Sequence, residues 1–186
     1  MNEAEMSEAK VEAIENKEKI NPMRRPRIEK ITINIGVGEG GKKLENAQKI
    51  LQQITGQKAV LTKAKKSIPG FGIKKKERIG CKLTLRGNAA KNFLKTALKI
   101  KGKLSESCFD KEGNFAFGIE EHTDFPGVEY NPEVGIFGMD IAVSLKRPGY
   151  RVAKRRVAKC KIPRIHRLTK EEAIAYVKEE FGVEVV

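Results

Sequence analysis

The sequence predicts an α+β fold, a mostly antiparallel β-sheet with helices packed on one face and a polar opposite face. Two observations predict it. Several short segments alternate apolar with polar residues, which marks strands with one face on a core and one face open. Others repeat apolar residues at helical spacing, which marks amphipathic helices that cover the apolar side. No strand reads as the continuous apolar run of a doubly wound parallel sheet, and no internal repeat is present.

Residues 1–20 differ from the rest. Glu3, Glu5, Glu8, Glu12, Glu15 and Glu18 alternate with small residues and a few lysines, so an acidic, mobile or weakly helical tail is expected. One domain is expected over 21–186, opening at the turn signal Asn21-Pro22. In Ile31-Thr32-Ile33-Asn34-Ile35 the isoleucines share one face of a strand, and Thr32 and Asn34 share the other. Leu44, Ala47, Leu51 and Ile54 set a helix over 42–54. Residues 57–62 read as a second strand, and 63–80 as a long loop rich in Lys and Gly that contains Pro69.

Ile79, Cys81, Leu83 and Leu85 alternate with Lys82, Thr84 and Arg86 in a third strand with a basic, polar face. A helix over 88–101 turns Ala90, Phe93, Leu94, Ala97 and Leu98 inward. Phe115, Phe117 and Ile119 define a fourth strand; Met139, Ile141, Val143 and Leu145 define a fifth. Thr169 and Glu172 have the spacing of a capping box, Ile174, Val177 and Phe181 form the stripe of the helix that follows, and Gly182 can end it.

Composition narrows the function. The chain has 186 residues, a net charge of +14 and no Trp. Its three cysteines, Cys81, Cys108 and Cys160, are far apart and form no CxxC, so neither a disulfide framework nor a zinc site is indicated and a reduced cytoplasmic setting fits. There is no apolar run long enough to span a membrane and no signal-peptide core.

The charge is concentrated. Between Asp140 and Glu171 stand eleven Lys or Arg residues and no acid: Lys146, Arg147, Arg151, Lys154, Arg155, Arg156, Lys159, Lys161, Arg164, Arg167 and Lys170. Like charges this dense repel unless a polyanion neutralises them, and nucleic acid is the common polyanion. Residues 63–78 carry seven more cations around Ile68-Pro69-Gly70-Phe71, the make-up of a finger that contacts RNA. The open sheet face offers Thr32, Asn34, Lys82, Thr84 and Arg86, hydroxyls, an amide and cations suited to sugar and phosphate oxygens.

Catalytic readings are weak. Gly36-Val37-Gly38-Glu39-Gly40-Gly41 fits G-x-G-x-x-G after a strand, yet that strand alternates with polar residues, and Gln57-Lys58-Ala59-Val60-Leu61 stands where an acidic ribose ligand belongs. His122 has no His or Cys at ligand spacing, and His166, inside the basic tract, is expected on phosphate or solvent. No nucleophile signature is present, so the chain is expected to be no enzyme and to need no metal or cofactor.

Several motifs together resemble a known family. Asn21-Pro22-Met23-Arg24, Ile31-Thr32-Ile33-Asn34-Ile35-Gly36-Val37-Gly38, Ile54-Thr55-Gly56-Gln57-Lys58, Lys63-Ala64-Lys65-Lys66-Ser67-Ile68, Ile79-Gly80-Cys81-Lys82-Leu83-Thr84-Leu85-Arg86-Gly87 and Gly138-Met139-Asp140-Ile141 resemble, in order, the signature segments of the fifth protein of the large ribosomal subunit. The stretch from Arg147-Pro148-Gly149-Tyr150 to His166-Arg167-Leu168-Thr169-Lys170-Glu171-Glu172-Ala173 resembles the archaeal and eukaryotic branch. The resemblance implies a structural role on the cytoplasmic ribosome, in the central protuberance beside 5S rRNA and a hairpin of the large-subunit rRNA. It places 5S contacts on sheet-face positions Asn34, Gln57 and Thr84, with Arg24, Lys65, Lys66 and Ser67 nearby; Lys82, Arg86, Arg151, Lys154, Arg155 and Arg156 join them from the charge pattern. It implies that the loop carrying Pro69, Gly70, Phe71, Lys74, Lys75, Lys76 and Arg78 reaches P-site tRNA, and that neighbouring ribosomal proteins, one of the small subunit included, are partners.

Overall fold

The computed structural model describes residues 21–128, 131–132 and 134–186. The acidic segment 1–20 lies outside the described residues. Strand β1 (Arg27–Gly36) is central, and β2 (Val60–Lys63), β3 (Arg78–Leu85), β5 (Phe115–Ile119) and β6 (Met139–Lys146) join it in the order β2-β3-β1-β6-β5, every neighbour antiparallel. The α+β fold read from the alternation is the fold observed.

The register sorts side chains by face. Ile31 lies opposite Leu85 and Val143, and Ile33 opposite Leu83 and Ile141, all buried. Helix α1 (Lys42–Thr55) covers this side with Leu44, Ala47, Ile50 and Leu51; α2 (Gly87–Lys101) covers it with Ala90, Phe93, Leu94, Ala97 and Leu98. Truncating such a buried Leu to Ala typically costs about 2–5 kcal/mol, so this layer holds the polar face in place. The last helix, α3 (Lys170–Phe181), starts with the expected capping box between Thr169 and Glu172, buries Ala173 and Val177, and ends at Gly182.

Two details differ from expectation. The second strand starts at Val60 rather than at residue 57, because Gly56 ends α1 in the left-handed region (φ 70°) and the Ala59 carbonyl accepts from Gln48 Nε2 at 2.7 Å. Residues 57–59 are thus a turn, and Gln57 lies there rather than on the sheet. A short parallel pair, β4 (Lys103–Leu104) with β7 (Glu184–Val185), was not expected, since two residues are too few to show alternation.

Strand β1 carries a bulge. Ile28 pairs with Leu145 and Lys30 with Ser144, so Glu29 is the extra residue between them. At the opposite end Gly80 pairs with Gly36 and Thr62, and a Cβ on it would stand 2.8 Å from the Ile35 carbonyl oxygen. That neighbour is ladder backbone and cannot yield. Gly80→Ala is expected to destabilise the protein by about 1–3 kcal/mol in a denaturant titration; an unchanged midpoint would contradict this packing.

Candidate nucleic-acid interface

The open face of the sheet is built by the register. One row across it reads Gly118, Asp140, Asn34, Lys82, Val60; the next reads Ala116, Ala142, Thr32, Thr84; a third begins Ser144, Lys30. Polar and cationic groups gather on β1 and β3, while the β5 side presents Ala and Gly. The face therefore carries small side chains toward β5, the exposed Val60 at its β2 edge, and polar groups at its centre. Lys82 and Thr84 are exposed, and Thr32 and Asn34 half-buried. Arg86 is exposed just before α2, and Arg24 is exposed in the turn before β1, where its N–H donates to the Asn21 carbonyl. Lys30 and Ser144 were missed from the sequence. Lys30 continues the spacing of Thr32 and Asn34, and the bulge beside it hid the pairing.

The loop between β2 and β3 is an ordered finger. Ala64 N–H donates to Glu77 O at 2.8 Å and Lys76 N–H to Ala64 O at 3.0 Å. Ile68 and Ile73 exchange backbone hydrogen bonds, and a 3-10 turn over Pro69–Phe71 closes the tip at Gly72. The Ser67 hydroxyl donates to Ile73 O at 3.1 Å, which makes it part of the finger's own frame. Lys63, Lys65, Lys66, Lys74, Lys75, Lys76 and Arg78 are all exposed. Phe71 is 79% exposed at the tip rather than folded back.

The basic tract forms an arm between β6 and α3, at the other end of β1 from the finger. Arg147 leaves the set of RNA-facing cations: it is only 5% exposed, donates to Glu172 Oε1 at 2.5 Å and lies 3.4 Å from the Ile165 and Arg167 carbonyls. His166 is half-buried, with Nε2 2.8 Å from Pro148 O and its ring against Tyr150. The arm folds back on itself and holds one ring nitrogen of His166, while the rest of the ring stays partly exposed. Tyr150 accepts from Leu168 N–H at 3.0 Å and completes the base of the arm. Arg151, Lys154, Arg155 and Arg156 are exposed, and the Lys154 ammonium donates to Glu29 in the β1 bulge.

Between Lys111 and Lys146 the chain has seven acids, Glu112, Glu120, Glu121, Asp124, Glu129, Glu133 and Asp140, and no Lys or Arg. The five that are described are all exposed. This acidic segment is the counterpart to the basic arm, and its lack of cations is legible in the sequence. Asp140, beside Asn34, marks where the basic face ends.

The remaining candidates carry no chemistry of this kind. In the glycine-rich turn, the Val37 and Gly38 amides donate to Ile79 O at 3.1 and 2.9 Å, so they are not free to cradle a phosphate. His122 is buried, its Nδ1 accepts from Phe137 N–H at 3.3 Å, and burial lowers its pKa. Burial raises the Cys81 thiol to about 11, which makes it inert at neutral pH. Among the described residues no group of His, Cys, Asp and Glu could hold a metal, and no helix is long and apolar enough to cross a membrane.

Burial in the bulge pushes the Glu29 carboxyl up, but the hydrogen bond and charge of Lys154, with the charges of Lys146 and Lys30, outweigh it and hold the group below its ordinary 4.5. A carboxyl lowered on folding contributes stability that is present above the unfolded value and is lost as pH falls through the folded one. Wild-type protein is therefore expected to lose more stability than Glu29→Gln as pH is lowered below 4.5. Parallel pH curves from chemical denaturation would contradict the pairing.

Comparison with known proteins agrees with this geometry. The family model described as "Ribosomal protein L5" matches residues 21–74, and the model for the C-terminus of the same ribosomal family matches residues 78–176. The chain is 57% identical over 166 residues to a protein of Methanococcoides burtonii named "Large ribosomal subunit protein uL5", covering 89% of this chain and 98% of that one. It is 52% identical over 169 residues to the protein of that name from Methanococcus vannielii (89% and 93% covered), and 50% identical over 175 residues to that of Sulfolobus acidocaldarius (94% and 98%). These archaeal relatives are named as ribosomal proteins, not enzymes. The chain, with its polar sheet face between a basic finger and a basic arm, belongs to the L5 family of large-subunit ribosomal proteins.

Proposed function

We propose that this large-subunit protein binds 5S rRNA on the open face of its sheet, touches large-subunit rRNA with its arm and reaches P-site tRNA with its finger, within the central protuberance. The observation that carries the reading is the placement of Thr32, Asn34, Lys82 and Thr84 side by side on the open face, with exposed cations at both ends of β1. Directional donors and acceptors at the centre fix register on the RNA, while surrounding cations supply charge that is insensitive to base sequence. The choice of 5S rRNA and tRNA rests on the resemblance of the motifs to the family.

Gln57 can serve the same RNA from the turn beside β2, at the margin of the sheet. Lys65 and Lys66 on one side of the finger face Lys74 and Lys75 on the other, all between the root pairing of Ala64 and the Ile68–Ile73 pair, while Phe71 stands at the tip, which suits rRNA near the sheet and tRNA beyond it. The exposed acids Glu120, Glu121 and Asp124 would repel phosphates. That segment suits a basic protein neighbour, such as the small-subunit protein implied by the resemblance.

Asn34→Ala or Thr84→Ala is expected to weaken binding to 5S rRNA by about 1–3 kcal/mol, the cost of leaving an interfacial polar group unpaired. Phe71→Ala combined with Lys74→Ala is expected to spare 5S binding and to weaken retention of P-site tRNA by reconstituted ribosomes. If both sheet variants bind 5S rRNA as wild type does, the sheet face is not the platform; if the finger variant loses 5S binding, the division of labour is wrong.

A further inference from the structure

The arm between β6 and α3 follows a defined course although its own charges repel. Two carboxylates outside the run of cations account for this. Glu29, the extra residue of the β1 bulge, receives the Lys154 ammonium; its side chain is 13% exposed, that of Lys154 60%. Glu172, in the first turn of α3, receives Arg147 on Oε1 at 2.5 Å, while its Oε2 accepts from Thr169 N–H at 3.1 Å. Arg147 in turn lies 3.4 Å from the carbonyls of Ile165 and Arg167, at the far end of the arm, so one buried guanidinium ties its entry to its exit. The Nε of Arg147 is buried and unpaired among the described residues. Its position therefore depends on the Glu172 contact and the carbonyl contacts.

We propose that Glu29 and Glu172 are positioning residues for RNA binding, which hold the arm in its RNA-competent course before RNA arrives. Lys154 then acts as the latch to Glu29, and Arg151, Arg155 and Arg156, all exposed, are presented to phosphates. Ordering the arm in advance removes a cost that binding would otherwise meet. The inference rests on the reading of the arm as an RNA-contacting element.

The sign of one substitution separates this from simple electrostatics. Glu29→Gln removes a negative charge from a surface that binds a polyanion, so charge alone predicts tighter binding. Positioning predicts weaker binding, by about threefold to tenfold, comparable to ordering one or two more side chains on association. The experiment is a double-mutant cycle on the full chain with a transcribed hairpin of large-subunit rRNA, the RNA assigned to the arm, comparing wild type, Glu29→Gln, Lys154→Gln and the double variant. Equal weakening in both single variants, with the double no worse, is the expected result, together with faster tryptic cleavage of the free protein between residues 151 and 156. Glu172→Gln keeps a capping acceptor and is expected to weaken binding likewise. Tighter binding by Glu29→Gln, or effects of opposite sign that cancel in the double variant, would overturn the proposal. Arg155→Ala with Arg156→Ala is the control: unchanged affinity there would overturn the arm's role in RNA binding itself.

Discussion

The structure depends on the register of β1 against its two neighbours. Ile31 and Ile33 must meet Leu85, Leu83, Val143 and Ile141 on the covered side. Once they do, Thr32 and Asn34 have no alternative but the open side. A slip of one residue would exchange the two sets, placing an amide and a hydroxyl in the core and isoleucines in water. The same hydrophobic burial that stabilises the sheet thus aims its polar face. It also sets the ends: Gly36 pairs with Gly80 near the base of the finger, and Arg27 pairs with Lys146 at the start of the arm.

Outside the helices, charge on that frame is largely sorted by sign. Cations occupy the finger, the arm and the β1–β3 part of the open face, whereas 112–140 carries acids and no Lys or Arg. The acids within the basic region are few and employed. Glu29 and Glu172 accept from Lys154 and Arg147, and Glu77 accepts from Lys74 N–H at 2.8 Å. A net charge of +14 therefore understates the contrast between the protein's faces. A polyanion meets a directed surface rather than a uniformly basic one.

Period-two alternation was strong enough to reveal β1, β3, β5 and β6, and the capping box at Thr169 and Glu172 revealed the start of α3. Those signals are local, so a sequence carries them openly. What stayed hidden was set by distant contacts. Arg147 and His166 looked like two more polar members of a basic run until Glu172 and the Pro148 carbonyl were seen to hold them. Gln57 sat within a run that resembled a strand, and only the capture of the Ala59 carbonyl by Gln48 shows why the strand begins later. The bulge at Glu29 breaks the period at one residue, so Ile28 joins the covered side although it stands two residues before Lys30 on the open face.

The central claim is that the sheet contributes directional recognition beyond the attraction of a polycation for RNA. The most direct test compares affinity for 5S rRNA with affinity for an unrelated duplex RNA of equal length across a salt series. Screening weakens phosphate contacts for both RNAs alike, whereas hydrogen bonds to a particular shape persist. The account predicts a preference for 5S rRNA that survives as salt rises. Equal affinities with the same steep salt dependence would contradict it and leave only the charge.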